Sequence, residues 1–310
     1  MISSIFGKTK PINYIIILTF LFVFYWTVVF FLFSTTYNPD NLVEQFAVVS
    51  ILLFIIFIIN FIVKRNKITG GHSFTILFFT LLIVIFPEVL LDNNSILCTF
   101  FLLLAIRRLL SIKSLKQIKI KLFDATLWVV VSSLFYDWAL LYLFLVFITI
   151  YLYDPKNIRN WLVPIIGVLT VFIISLGVLT ILNQQLYLEN HYQFNIDITT
   201  HFLSEWRNSM KLLLYIFVTL TLVIVTFLKL SKSGQGRINT MRLVTIFFLI
   251  GILITLLKSS IEITPILLTF FPAAVFMSNY IETIKKPNIK ELVLIASVII
   301  PFIVLAVRFI

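Results

Sequence analysis

Five carboxylates and three cations hold most of the chemistry this sequence can offer. Asp40, Glu44, Glu88, Asp92 and Asp137 stand in or beside three short polar stretches, and Arg207, Lys211 and Lys258 in two later ones. A carboxylate so placed can serve as general base toward a hydroxyl, while Arg or Lys neutralises a phosphate. Asp40 is the candidate base, Glu88 and Asp137 its support, and Arg207, Lys211 and Lys258 the candidate substrate-binding cations. Gathered at one surface, such groups suit a phosphate-bearing lipid or a sugar acceptor. They equally suit an ordinary solvated acidic face, with Glu88 and Asp137 as caps or ion-pair partners. Metal binding would need His191, Asp197 and His201 to converge, and their spacing matches no recognised ligand pattern. No metal or other cofactor is expected. The phosphate-cradling glycine loop, G-x-S-x-G, H-E-x-x-H, C-x-x-C and D-x-D are all missing.

The elements that must position these groups are set by composition. Apolar residues make up 61% of 310 positions and charged residues 12%, with a mean hydropathy of +1.10. A soluble domain carries about 25% charged residues. The apolar runs are continuous, without the alternation of barrel strands. Many approach the roughly 17–25 residues that a helix needs to cross a ~30 Å hydrocarbon core. The chain is therefore expected to be an all-α integral membrane protein, one polytopic domain over residues 1–310 with no soluble domain. Its longest polar stretch, 183–211, is too small to bury its own core.

Eleven spans are predicted, at about 12–34, 46–63, 73–91, 95–106, 122–136, 138–153, 161–182, 212–228, 243–257, 264–281 and 292–307. The fifth and sixth are short halves of one apolar hairpin split by Asp137 and Trp138. With the N-terminus cytoplasmic and the C-terminus outside, twenty of the 24 lysines and arginines fall on the inner side with four of the 13 acids. That segregation follows the positive-inside rule. The net charge of +11 is thus a topology signal with attraction for anionic headgroups, not a nucleic-acid footprint.

The densest inner cluster is Arg107, Arg108, Lys113, Lys116, Lys119 and Lys121, read as an interfacial loop. Asp124 is expected at a helix start, paired with Lys119 or Lys121. Cys98 is the only cysteine, so no intrachain disulfide forms. No internal repeat is visible, and no paired broken helices are expected at membrane depth.

Two resemblances add to this. The opening MISSIFGKTKPINY and the central LLLAIRRLLSIKS with KLFDATLWVVVSSLFYDWALLYLFL resemble an uncharacterised polytopic inner-membrane family of Bacteroidota (Flavobacterium-type) over nearly the whole chain. That resemblance implies a multi-pass inner-membrane protein and no particular chemistry. The segment DNNSILCTFFLLLAIRRLL with the hairpin behind it is also similar to the C-type glycosyltransferases and polysaccharide polymerases. This implies handling of polyprenyl-phosphate glycans at the outer face, with an acid in the first outer loop matched here by Asp40. That loop is shorter here than the long helical one usual in the superfamily. The alternatives are a non-enzymatic membrane subunit of an envelope complex, such as a secretion or motility assembly, and a transporter. Membrane lipids, a polyprenyl-phosphate glycan and membrane-complex subunits are the expected partners.

Overall fold

The computed structural model describes residues 2–33, 42–184, 186–194, 196, 206–230, 234–258 and 265–307, the side chains of 206–208 excepted. Asp40, Asp197 and His201 lie outside the described residues. Among the described residues every regular element is helical. The helices are α1 (Ile2–Phe6), α2 (Pro11–Thr27, continued by a π-helical turn Val28–Leu32), α3 (Leu42–Arg65), α4 (Phe74–Ile85), α5 (Asn93–Ser111), α6 (Ile118–Ser133), α7 (Leu143–Tyr153), α8 (Ile158–Ile181), α9 (Tyr187–His191), α10 (Trp206–Leu230), α11 (Gln235–Leu257), α12 (Phe270–Thr283) and α13 (Pro287–Val307).

Eight of these segments are long and apolar enough to cross a membrane: 11–32, 42–65, 93–114, 158–181, 209–230, 235–257, 265–283 and 287–307. Eleven spans were predicted. The other three fall on α4, α6, and α7 with the 3₁₀ turns before it. A helix rises 1.5 Å per residue, so the 12 residues of α4 cover only about 18 Å by that rise.

α4 is the core helix. Residues Phe74–Val84 are all buried, and it packs against α12, α13, α3 and α2. A helix that is apolar all round belongs inside other helices or in lipid, and the fold uses both outcomes. α8 and α13 are also strongly apolar, yet most of their side chains lie on the outside of the bundle.

Three 3₁₀ segments interrupt the α-helices: Pro87–Leu90, Asp137–Tyr142 and Pro265–Thr269. Irregular backbone at membrane depth is tolerated where protein buries it, and all five residues of Pro265–Thr269 are buried. Two of the segments meet α11 at Gly251. A Cβ there would come within 2.8 Å of Thr269 Cγ2 and 3.0 Å of the Tyr142 hydroxyl. Tyr142 donates to the Phe247 carbonyl (3.3 Å), and Tyr215 shares a 2.7 Å hydrogen bond with Thr269. Glycine is required at 251 for that close approach.

The basic block is also not the loop that was predicted. α5 continues to Ser111, a 3₁₀ turn follows at Ile112–Ser114, and α6 begins at Ile118. Leu115 and Gln117, with φ of 54° and 52°, turn the chain back through left-handed backbone. The fourth span is consequently longer than its apolar run. Antiparallel pairing of α5 and α6 places Asp124 against Arg108 at 3.0 Å, instead of Lys119 or Lys121.

Connecting segments collect at two ends. At one end Glu291 accepts from the Ile2 and Ser3 amides (2.6 and 3.1 Å), and Ser73 N–H donates to the Phe6 carbonyl. His72 bonds Glu282 at 2.7 Å there, and Asn160 donates to Asp154. This end carries the basic block. At the other end Asn93 donates to Glu44 (2.9 Å), and Glu88 and Asp137 meet lysines.

Candidate lipid-binding site at the acidic end

Glu88 is held by the 3₁₀ turn Pro87–Leu90. Pro87 fixes φ and ends α4, and the carboxylate that follows reaches α10. Lys211 Nζ donates to Glu88 Oε1 at 3.1 Å, both side chains about a fifth to a quarter exposed. The same ammonium lies 5.7 Å from the centre of the Phe86 ring, which contacts Tyr215 edge-on. Lys211 is the sixth residue of α10, beyond the first turn over which a helix dipole acts. Helix electrostatics therefore do not explain its position, and Glu88 is its ion-pair partner.

Asp137 and Lys258 form the second pair. Asp137 is only 5% exposed, accepts from the Trp138 amide at 2.8 Å, and has Lys258 Nζ at 3.9 Å. Lys258 is the C-cap of α11 and lies over the Tyr136 ring at 5.8 Å. A cation is favoured at a helix C-terminus, so this pair is accounted for by the architecture alone.

Of the predicted site residues, the structure thus brings Glu88 to Lys211 and Asp137 to Lys258. Asp40 and the Arg207 side chain lie outside the described residues. Glu44 takes the Asn93 amide, and Asp92 caps α5 by accepting from the Ser95 amide at 3.1 Å. His191 bonds the Ser133 carbonyl at 2.7 Å and stacks on Tyr187, which occupies it structurally.

What the sequence did not reveal is the cavity below Lys211. Its volume is about 420 Å³, within the size range of ligand pockets. α4, α10, α12 and α13 form its walls. Leu214, Val218 and Leu222 descend one side from Lys211, and Ile85, Leu81 and Phe78 descend another. Pro301 and Ser297 of α13 also line it. A proline at 301 removes the amide that would bond the Ser297 carbonyl one turn back and places a ring there instead. Lys211, Tyr215, Tyr280 and Ser297 line it almost wholly through apolar atoms, and the Tyr215 hydroxyl is turned to Thr269. The arrangement is an apolar slot with one cation at its mouth, which suits a hydrocarbon chain bearing an anionic head.

The described residues are all helical in their regular structure and include eight membrane-length apolar helices, which defines a multi-pass membrane protein. Residues 10–309 match the model of a family of unknown function, DUF6427, and the chain belongs to that family. No curated protein and no solved structure matches it.

Proposed function

We propose that this protein binds a polyprenyl-phosphate lipid, free or glycan-linked, at the outer face of the inner membrane. The prenyl chain lies in the slot and the phosphate is neutralised by Lys211. The observation that supports this is the 420 Å³ apolar slot lined at one end by Lys211. Lys211 has three N–H donors, so contact with Glu88 leaves capacity for a phosphate oxygen. In a transfer reaction Glu88, at the mouth, is the carboxylate positioned to act as base. Asp137, tied to the Trp138 amide and facing Lys258, is a structural residue.

This function rests on a topology in which all eleven predicted spans cross. Support comes from the ends of the helices. Contacts at the basic end join residues 2–13, 70–73, 107–124, 154–160, 236–242 and 280–291, while 33, 44, 88–93, 133–142, 191, 211 and 258 belong to the acidic end. The helices from α2 to α12, the short α9 excepted, run in turn from one set toward the other. By the positive-inside rule the cations of the first set support a cytoplasmic position for that end.

The test uses purified protein in nanodiscs with polyprenyl phosphate and, separately, the uncharged polyprenol. Native mass spectrometry should show retention of the phosphate form. Val218→Trp, which fills the slot, should lower retention of both lipids at least tenfold. Lys211→Gln should lower only the phosphate form, and Lys211→Arg should restore it. Equal retention by wild type, Val218→Trp and Lys211→Gln would end the proposal.

A second function, as a non-enzymatic subunit of an envelope assembly, is favoured by α8. That helix packs only on α6 and α7 among its larger contacts and leaves most of its circumference outside the bundle. Loss of complementation from bulky changes at Ile166 or Ile173, with lipid retention intact, would select it.

A further inference from the structure

Twenty inner cations satisfy the positive-inside rule simply by being there. The rule does not require them to converge. Six of them do: Arg65, Lys67, Arg107, Arg108, Lys113 and Lys121 line a single cleft of about 610 Å³ at the basic end. Three separate pieces of chain supply them, namely the end of α3, the end of α5 and the connector into α6. Lys64, Lys116 and Lys119 answer the same topological need while standing exposed outside the cleft.

Several of the six are fixed in place, and almost none of the fixing comes from acids. Lys121 Nζ donates to the Ser111 carbonyl and the Ser114 hydroxyl, each at 2.7 Å. Arg107 lies over the Phe61 ring at 5.5 Å. Lys113 runs along α11 at Gly236, where even a Cβ would come within 2.7 Å of its Cε. Among the described residues one ion pair touches the group, Arg108 with Asp124. The Arg108 Nε is nevertheless buried without a hydrogen-bond partner. The left-handed residues Leu115 and Gln117 fold the connector so that Lys113 and Lys121 face the same space. Like charges held together in a cavity repel one another, and an anion entering the cavity relieves that repulsion. Fixing the cations beforehand lowers the ordering cost of binding it.

We propose that this cleft is a binding site for a group bearing two or more phosphates, presented at the cytoplasmic membrane surface. Basic pockets between membrane helices on that side recognise multi-phosphate headgroups. Six cations against one paired carboxylate exceed what a single phosphate needs. The group comes either from an anionic lipid of the inner leaflet or from a soluble polyphosphate, since the recognising chemistry is the same. The site is independent of the slot at the other end, and Lys211 takes no part in it.

Two triple variants separate a built site from a merely positive surface. Lys67→Gln, Lys113→Gln and Lys121→Gln empty the cleft while sparing the Arg108–Asp124 pair. Lys64→Gln, Lys116→Gln and Lys119→Gln remove the same charge from outside it. In nanodiscs containing the two-phosphate lipid cardiolipin, phosphatidylglycerol and phosphatidylcholine, wild type should retain cardiolipin preferentially by native mass spectrometry. The cleft triple should lose at least tenfold of that retention and the outer triple less than twofold. Binding of inorganic pyrophosphate by delipidated protein, lost in the cleft triple alone, supports the site with a soluble source. Arg107→Gln provides a second, single-charge variant and should lower either signal severalfold. An equal fall in both triples would overturn the proposal, as would wild type that neither prefers cardiolipin nor binds pyrophosphate.

Discussion

The two ends of this bundle treat charge in opposite ways. At the acidic end four carboxylates each have a partner of their own: Glu88 has Lys211, Asp137 has Lys258 and its neighbouring amide, Glu44 has Asn93, and Asp92 has a helix N-terminus. At the basic end six cations share one cleft and a single paired carboxylate. A group that is engaged one to one is part of what holds the fold together. A crowd of like charges held by carbonyls, hydroxyls and rings weakens the fold and is retained for something that arrives from outside. Counting charges alone would have chosen the five acids as the functional feature. Counting partners moves attention to the cleft, and at the acidic end to Lys211, the cation that lines the apolar slot.

The largest expected effect comes from breaking the acidic end. Lys211→Gln strips Glu88 of its cation in a partly buried setting. One-sided loss of a fully buried pair costs 3–5 kcal/mol, and partial exposure brings the expectation here to about 2 kcal/mol. Titration with SDS of wild type, Lys211→Gln, Glu88→Gln and the double variant would measure it. The double variant should recover more than half of the loss. A double variant as unstable as the sum of the two would show that the pair contributes nothing.

Next is the junction beneath that end. If Gly251 is needed for the approach of Thr269 and Tyr142, then Gly251→Ala overpacks it, at a cost of about 1–3 kcal/mol. Gly177 on α8 has nothing within reach of an added Cβ. Gly177→Ala should therefore leave the SDS midpoint unchanged or raise it slightly, because alanine is the better helix former. Similar losses in the two variants would remove the close packing from the account.

These effects also mark what could be read from the residues alone. Membrane class and the order of the apolar segments were legible because each span declares itself through its own composition. Pairing was not. Asp124 was expected to find a lysine three or five positions away, but its partner Arg108 lies across a hairpin, and only the turn at Leu115 and Gln117 decides that. The basic block read as a loop because its charges lack a helical period, yet two helices meet inside it and each keeps a different face. The slot draws its walls from α4, from α10 and from the consecutive pair α12 and α13, three regions far apart in sequence. No local pattern announces a cavity of that kind. Lys211 was legible as a candidate, whereas the reason to prefer it over Lys258 appeared only once the slot was seen to be lined by Lys211.

Orientation is the next test of the comparison, and its outcome is a yes or no at each end. In a Cys98→Ser background, a cysteine at Asn94 should react with an impermeant thiol reagent in intact spheroplasts, and one at Ser114 should not. Both positions are exposed, so access through the membrane is what the reagent reports. Cys98 itself is fully buried, and its removal guards only against slow background. Reversal of the two results would put the cleft outside and the slot's mouth inside, and would undo both assignments together.

The smallest effect is also the one that divides the ends most sharply. At the acidic end the loss of a cation is expected to destabilise. At the basic end Lys121→Gln removes one of six like charges, and the amide can still donate toward the Ser111 carbonyl or the Ser114 hydroxyl. Relief of repulsion and loss of one charge-assisted hydrogen bond nearly cancel. The unfolding midpoint in neutral detergent should therefore move by less than about 0.5 kcal/mol, within the range of ordinary surface changes. Added salt screens exposed charges over about 10 Å at 0.1 M, so it should stabilise wild type at this end more than it stabilises Lys121→Gln. With cardiolipin present the order should reverse, because a ligand that binds only the folded state adds stability in proportion to its affinity. Wild type would then gain more than the variant. If Lys121→Gln instead destabilised the protein in plain detergent as much as Lys211→Gln does, the two ends would obey the same rule, and the cleft would be a structural feature like the pairs opposite it.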